Sequence, residues 1–392
     1  MKRFENIFRT LRRSVICLFF FLSVPATLPS ATPIDSVEIG LITCSPHEEI
    51  YSLYGHSALR WHNLKTGEDL VFNYGIFNFN KPHFVARFVF GLTDYELGIV
   101  PTQPFLDYYR KWGSSVTEQV LNLTDEDKVM VTNALVTNAL PQNKVYRYNY
   151  FYDNCSTRPR DIVECNIAGN VVYDRQDGPA LSWREAVRKL TSHHPWATFG
   201  NDMLLGVKAD MTMTQREQEF LPFNLMVDFD NASIERDGQN IPLVMEKRTL
   251  VEPGVQVIEK GFPLRPIQCA IILAIVSIAL FTLEWRRRRT FKYWDALLML
   301  LTGLSGCIIL TMFFSQHPTT STNLLIFLLN PLPLFFIPAV LKRKRLTRYW
   351  KLSLLLICLF LVGGIWQSYA EGMYVVALCL LLRACSHFKN DQ

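Results

Sequence analysis

The stretch Tyr150-Phe-Tyr-Asp-Asn-Cys155-Ser-Thr-Arg-Pro-Arg-Asp161 puts a cysteine where a tyrosine-rich run passes into a helix. Asn154, Ser156 and Thr157 are residue types that cap helices, and Pro159 suits a first turn whose N–H groups lack intrahelical partners. A thiol there lies at the positive end of the helix dipole, which favours the thiolate, the form that attacks acyl carbonyls. Cys155 is therefore the candidate nucleophile. A structural cysteine, free or disulfide-bonded, is the other reading of the same residues.

Upstream lies a candidate base. Gly55-His56-Ser-Ala-Leu-Arg-Trp-His62 alternates like a strand, a polar turn follows around Lys65-Thr-Gly67-Glu, and Leu70-Val-Phe-Asn-Tyr74 reads as the return strand. A loop centred on either side of Thr66 sets Asn73 opposite Ala58 or Arg60, on the face of His56, because strand faces alternate with period two. His56 is the candidate general base and Asn73 the candidate orienter, against the plainer reading of a packed strand histidine. Earlier still, Val37 to Thr43 reads as a strand, and Cys44-Ser-Pro-His-Glu-Glu-Ile-Tyr51 as a turn into a short helix bearing a second cysteine. Between hairpin and nucleophile, Leu92 to Gly98 reads as a turn, and Pro104 to Trp112 and Thr124 to Leu140 as helices. Tyr146 to Phe151 reads as a strand feeding Cys155.

Downstream, Ser182 and Glu185 form a capping box. Asp202 and Asp210 are candidates to orient a substrate amine, or else ordinary capping or solvated carboxylates. Val227 to Val257 alternates around the turn signal Asp237-Gly238 and reads as a β-extension.

The chain has 392 residues, 49% of them hydrophobic, with 40 basic and 35 acidic side chains; that balance gives no reason to expect nucleic acid as a partner. Nine cysteines are too sparse for a disulfide scaffold. With no Cys-x-x-Cys or His-x-x-x-His pair, and with His193-His194 followed by Pro195, no metal or organic cofactor is expected.

Both ends point to a membrane. Residues 1–31 have a basic start, an apolar run from Val15 to Val24 and a small-residue exit at Ser30-Ala31, a secretory leader pattern. Apolar runs recur at Ile267 to Leu283, Trp294 to Phe314, Leu324 to Val340, Leu352 to Tyr369 and Met373 to Leu382, which gives five expected spans. The loops 284–292 and 341–351 are strongly basic, whereas Gln316 to Asn323 and Gln367 to Gly372 carry no lysine or arginine. The positive-inside rule then puts the basic loops and the C-terminus in the cytoplasm and the Cys155 domain outside. The expected division is a leader at 1–31, an exported domain at 32–263 and a helical membrane domain at 264–392.

A histidine on a strand that precedes a cysteine at a helix start resembles the circularly permuted papain-like enzymes. Five stretches in order, Leu41-Ile-Thr-Cys-Ser-Pro46, Tyr54-Gly-His-Ser-Ala-Leu-Arg60, Phe72-Asn-Tyr-Gly75, Phe151 to Asp161 and Leu204-Leu-Gly-Val-Lys-Ala-Asp210, resemble the Lnb-type lipoprotein N-acyltransferases. The resemblance implies an α+β, permuted papain-like exported domain followed by an all-α membrane domain, seated in the inner membrane. It also implies Cys155 and His56 as the catalytic pair, a phospholipid as acyl donor and the N-terminal amine of a diacylated lipoprotein as acceptor. Cys44 fits the same pattern as catalytic, disulfide-bonded or buried, and Asn154 as a supporting residue. Backbone N–H groups at the helix start are the expected oxyanion donors. The rivals are a peptidase, amidase or lipase on the same scaffold, and a membrane assembly factor whose cysteines are structural.

Overall fold

The computed structural model describes residues 34–77, 82–174, 181–258 and 261–390. The leader expected at 1–31 lies outside the described residues. The strands and helices below belong to one compact unit, Ser36–Gln392.

The N-terminal part is built on strands β1 (Val37–Cys44), β2 (His56–Asn63), β3 (Asp69–Ile76), β4 (Asp94–Pro101), β5 (Val116–Leu121) and β6 (Val145–Arg147). Strands β7 (Asn170–Tyr173), β8 (Ala232–Arg236) and β9 (Gln239–Pro242) form a separate small sheet, and β10 (Val244–Val251) returns to the main one. The main sheet runs β10-β5-β1-β2-β3-β4-β6 with antiparallel neighbours throughout. Central β1 is covered on both faces, which is why Ile39, Leu41 and Ile42, on alternate faces of the strand, are all buried.

Helices cover both faces of the sheet. They are α1 (Phe84–Val89), α2 (Thr102–Trp112), α3 (Asp125–Ala139), α4 (Thr157–Cys165), α5 (Trp183–Thr191), α6 (Pro195–Leu204), α7 (Gln215–Gln218) and α8 (Pro222–Asp230). On one face α2 packs Phe105, Leu106 and Tyr109 against Ile42, Cys44, Ala58 and Val71. Each such buried side chain contributes about 1.5–3 kcal/mol. The other face receives α3, where Thr132 accepts from Trp61, and α8, whose Met226 carbonyl accepts from Gln119. It also receives α4, through the hydroxyl pair Ser57 and Ser156.

Three expectations change here. Asp94–Pro101 is a strand rather than a turn, because β3 and β6 supply hydrogen bonds on both its edges. The tyrosine-rich strand stops at Arg147: Asn149 folds the chain back by bonding Asp153 through its backbone and the Phe151 N–H through its side chain. Within Val227 to Val257, residues through Asp230 are helical, and Asp237-Gly238, both at positive φ, turn β8 into β9 as read from the sequence. β10 is then no extension: it pairs with β5 as an edge strand of the main sheet.

The C-terminal part is helical: α9 (Pro266–Arg287), α10 (Lys292–Met312), α11 (Leu332–Leu341), α12 (Thr347–Gly363) and α13 (Met373–Asn390). Among the described residues, three helical stretches are long and apolar enough to cross a membrane: Pro266–Arg287, Lys292–Met312 and Leu324–Leu341. The third is interrupted by Asn330-Pro331, which opens α11. The two other apolar runs fall short of that measure. Helix α12 has 17 residues, and α13 ends in a polar stretch with Arg383, Ser386, His387 and Lys389. Arg383 binds Glu284 of α9 and Asp295 of α10, so three helices share one buried ionic junction.

Two loops of this helical part hydrogen-bond to the sheet domain. The N–H groups of Gly206 and Val207 donate to the carbonyls of Thr319 and Thr322, each at 2.8 Å. Asn323 donates to the Met203 carbonyl at 2.8 Å, and Gln367 donates to the carbonyl of Leu205 and to Asn323 Oδ1. Gly206 is required for this approach, because a Cβ there would lie 2.3 Å from the Thr322 oxygen. Buried Arg184 of α5 holds the same corner by bonding Asp202, Asp210 and the carbonyls of Leu205 and Gly206.

Candidate functional site

Cys155 and His56 come from opposite sides of the sheet. The helix α4 packs on the Ser57 face, so Cys155, two residues before its first turn, meets His56 where β2 begins. The β2–β3 pairing puts Leu59 against Phe72, and one step further sets Asn73 against Ala58, on the face of His56. That is one of the two registers expected from the sequence.

The geometry fixes the imidazole. His56 Nε2 lies 2.6 Å from Asn73 Oδ1. A carbonyl oxygen only accepts, so Nε2 carries the proton and Nδ1 is left as the basic nitrogen for the sulfur. Gly75, at φ +94°, supplies the bulge between Asn73 and Ile76 that lets this strand pass close to Cys155. An added Cβ would sit 3.5 Å from the Tyr148 ring and 3.8 Å from the Cys155 Cβ.

The sulfur is surrounded by donors: His56, the Ser57 N–H, the Ser156 hydroxyl and the Tyr148 hydroxyl. Burial is the largest influence on Cys155 and opposes the thiolate, but the His56 charge and these hydrogen bonds outweigh it and hold the thiol below its ordinary pKa. Burial likewise opposes the His56 imidazolium, yet the thiolate and Asn73 raise its pKa above the usual histidine value. Both shifts favour a thiolate–imidazolium pair.

Asn154 shapes the junction. Its Oδ1 accepts from the N–H groups of Ser156 and Thr157 at 2.8 and 3.0 Å, and its Nδ2 donates to the carbonyls of Tyr150 and Phe220, both at 2.8 Å. All four hydrogen-bonding sites of the amide are used, which pins the helix start in place. Two of the expected oxyanion donors are thereby occupied. The Cys155 N–H has no acceptor among the described residues.

The other candidates sit apart from the pair or beside it. Cys44 is a free, buried thiol whose Cα pairs with that of His56 across β1 and β2. Burial pushes its pKa up despite a hydrogen bond with Tyr109, which makes it a small apolar core residue. Asp210 is committed to Arg184 and to the Ser368 N–H, and Asp202 to Arg184 and Arg188. Asp210 thus bridges the sheet domain and the helical part, while Asp202 pairs within the sheet domain with two arginines of α5. Tyr148, Ser57 and Ser156 carry no sequence signal for bonding the sulfur, although the last two stand directly beside His56 and Cys155. Among the described residues, no group of three or more His, Cys, Asp or Glu side chains could hold a metal ion.

Two family models match the chain: the Lnb N-terminal periplasmic domain over residues 26–189 and the Lnb transmembrane domain over residues 257–391. No curated protein and no solved structure matches it. The matches meet the two halves of the fold in order, a sheet-rich periplasmic domain and a C-terminal membrane domain, which makes this an inner-membrane protein.

Proposed function

The chain belongs to the Lnb family, and from that premise we propose that it is a lipoprotein N-acyltransferase working through a cysteine thioester. The observation that carries the proposal is the line Cys155, His56, Asn73, with the histidine tautomer set by the 2.6 Å bond to Asn73. The order of a strand histidine followed by a helix-start cysteine supports a permuted papain-like reading of the domain.

The Cys155 thiolate attacks the ester carbonyl of a membrane phospholipid, and the Cys155 N–H receives the oxyanion. Collapse breaks the ester C–O bond, and the His56 imidazolium protonates the departing lysophospholipid alkoxide. The neutral α-amine of a diacylglyceryl-cysteine lipoprotein then attacks the thioester. His56 takes the proton from nitrogen, the C–S bond breaks, and the thiolate–imidazolium pair is restored with an amide as product. The α-amine has a reference pKa of about 8, so a usable fraction is neutral near pH 7.

The two loops free of lysine and arginine are those bonded to the sheet domain, which supports a five-span topology with basic loops and C-terminus in the cytoplasm. The same reading divides the chain into a leader at 1–31, a periplasmic domain at 32–263 and a membrane domain at 264–392.

The test is intact mass after brief incubation with phospholipid, for wild type, Cys155→Ala and His56→Ala. Wild type acquires a hydroxylamine-labile fatty-acyl adduct that Cys155→Ala lacks, and the adduct is discharged to a diacylated lipopeptide. No adduct on folded, lipid-accessible protein, or discharge to water alone, would overturn the assignment.

A further inference from the structure

The loop between β1 and β2 carries polar groups that the proposed chemistry leaves unused. Glu49 Oε2 accepts from the Tyr108 hydroxyl at 2.7 Å and also from the Tyr51 hydroxyl. The Tyr108 oxygen lies 3.5 Å from His47 Nε2. Since that hydroxyl gives its hydrogen to Glu49, it can only accept from His47, which puts the imidazole proton on Nε2 and leaves Nδ1 a bare acceptor. Nδ1 is buried, has no hydrogen-bond partner among the described residues, and points toward Glu49 Oε2 at 4.0 Å. His47 is itself only 4% exposed.

Two acceptors facing one another without a donor between them is a costly arrangement. A donor with at least two hydrogens and a positive charge would satisfy both. A nitrogen at about 2.8 Å from each fits their separation. The walls are aromatic: Trp112 stacks on His47 at 4.8 Å and 12°, and Tyr51 and Tyr108 meet it edge-on. Such rings favour a cation as well. Burial keeps His47 neutral by lowering its pKa to about 4, in spite of Glu49, so the imidazole does not compete for the carboxylate as a cation.

Aromatic contacts link the cluster to the catalytic pair. A ring path runs from Tyr51 to Phe77 at 5.8 Å, to Tyr95 at 5.1 Å and to Tyr148 at 4.1 Å, and the Tyr148 hydroxyl reaches Cys155. Tyr51 is 45% exposed, so the outer edge of the cluster reaches solvent.

We propose that Glu49 and His47 Nδ1, walled by Tyr51, Tyr108 and Trp112, bind an alkylammonium group beside the acylated cysteine. The proposal rests on the acyl-transfer reading and deepens it. The ammonium comes either from the N-terminus of the acceptor lipoprotein or from an ethanolamine headgroup of the donor phospholipid. In both cases the site anchors a substrate by its charge.

The experiment uses the full chain in detergent micelles, with Glu49→Gln and His47→Gln checked for unchanged thermal unfolding. Acyl-enzyme formation is compared between phosphatidylethanolamine and phosphatidylglycerol, and discharge between a diacylated lipopeptide and hydroxylamine. A fall of about tenfold in the first ratio identifies the donor headgroup, and the same fall in the second identifies the acceptor amine. Both follow from loss of a charge-assisted bond of about 1.5 kcal/mol. In parallel, the Cys155→Ala protein is titrated with lipopeptide bearing a free or an acetylated N-terminus, and with phosphatidylethanolamine against phosphatidylglycerol. A preference for the ammonium form that Glu49→Gln abolishes supports the site. Ratios and preferences within twofold of the parent overturn it. Wild type without any acyl-enzyme would sink the acyl-transfer reading on its own, while the titration still decides whether ammonium binds.

Discussion

Replacing Arg184 by methionine should be among the most destabilising single changes outside the catalytic pair. The Arg184 side chain is 1% exposed and its partners Asp202 and Asp210 are 4% and 14% exposed, so the change removes a guanidinium from both, leaving Asp202 with Arg188 and Asp210 with the Ser368 N–H. Breaking a buried pair from one side costs about 3–5 kcal/mol, most of it the penalty on the charge left behind. Burial already raises the pKa of Asp202 against the pull of Arg188 and Arg184, a sign that its ionised form depends on those partners. For a domain of this size each kcal/mol moves Tm by about 2–4 °C, which predicts a loss of roughly 6–20 °C. The assay is thermal unfolding of the full chain in detergent. The triple variant Arg184→Met, Asp202→Asn, Asp210→Asn should recover much of the loss, because neutral amides tolerate burial far better than unpaired carboxylates. Asp107→Ala, which breaks the half-exposed pair with Arg110, should cost less than about 1 kcal/mol. Because the same corner holds the loops at Thr319–Asn323 and Gln367–Tyr369, Arg184→Met should also slow acylation from micellar phospholipid. A Tm within 2 °C of wild type, or an equal loss in the surface variant, would refute the reasoning.

Three further outcomes follow from Cys155, His56 and Asn73. The rate of Cys155 alkylation by iodoacetamide should fall with decreasing pH at a midpoint below that of an ordinary thiol, about 8.5. In His56→Ala only burial and the neutral donors remain, so the midpoint should move upward; an unmoved midpoint would show that the imidazole does not stabilise the thiolate. Acyl-enzyme formation itself should be lost as pH falls through the lowered Cys155 pKa and again as it rises through the raised His56 pKa, since the first removes the thiolate and the second the acid. Asn73→Ala deletes a hydrogen bond of about 1 kcal/mol and frees the imidazole to adopt the wrong tautomer. The expected result is a kcat lowered about five- to tenfold or more with KM within twofold, and an unchanged kcat would remove Asn73 from the site.

The residues that do the proposed chemistry were legible because their signals are local. A cysteine among capping residues, a histidine at the head of an alternating run and an asparagine on the returning strand each follow from periodicity and turn chemistry over a dozen residues. The hairpin register then brings His56 and Asn73 together with no help from distant parts of the chain. The membrane part was legible for the same kind of reason, since apolar length and loop charge act along the chain.

What eluded the sequence depends on partners far away in it. Strand β10 joins β5 across more than a hundred residues, and nothing in its own alternation says which edge it will meet. Glu49 becomes a partner of Tyr108, and His47 of Trp112, only when α2 packs over the β1–β2 loop. The Leu204 to Asp210 stretch, noted for its resemblance to a family motif, binds the loops of the membrane helices, where Gly206 admits the Thr322 carbonyl and Arg184 gathers Asp202 and Asp210. The sequence by itself determined which groups could react, because residue chemistry and local period are written in neighbouring letters. The tertiary structure alone decided which carboxylates hold the fold and which face a site, because burial and pairing exist only after distant segments have closed on one another.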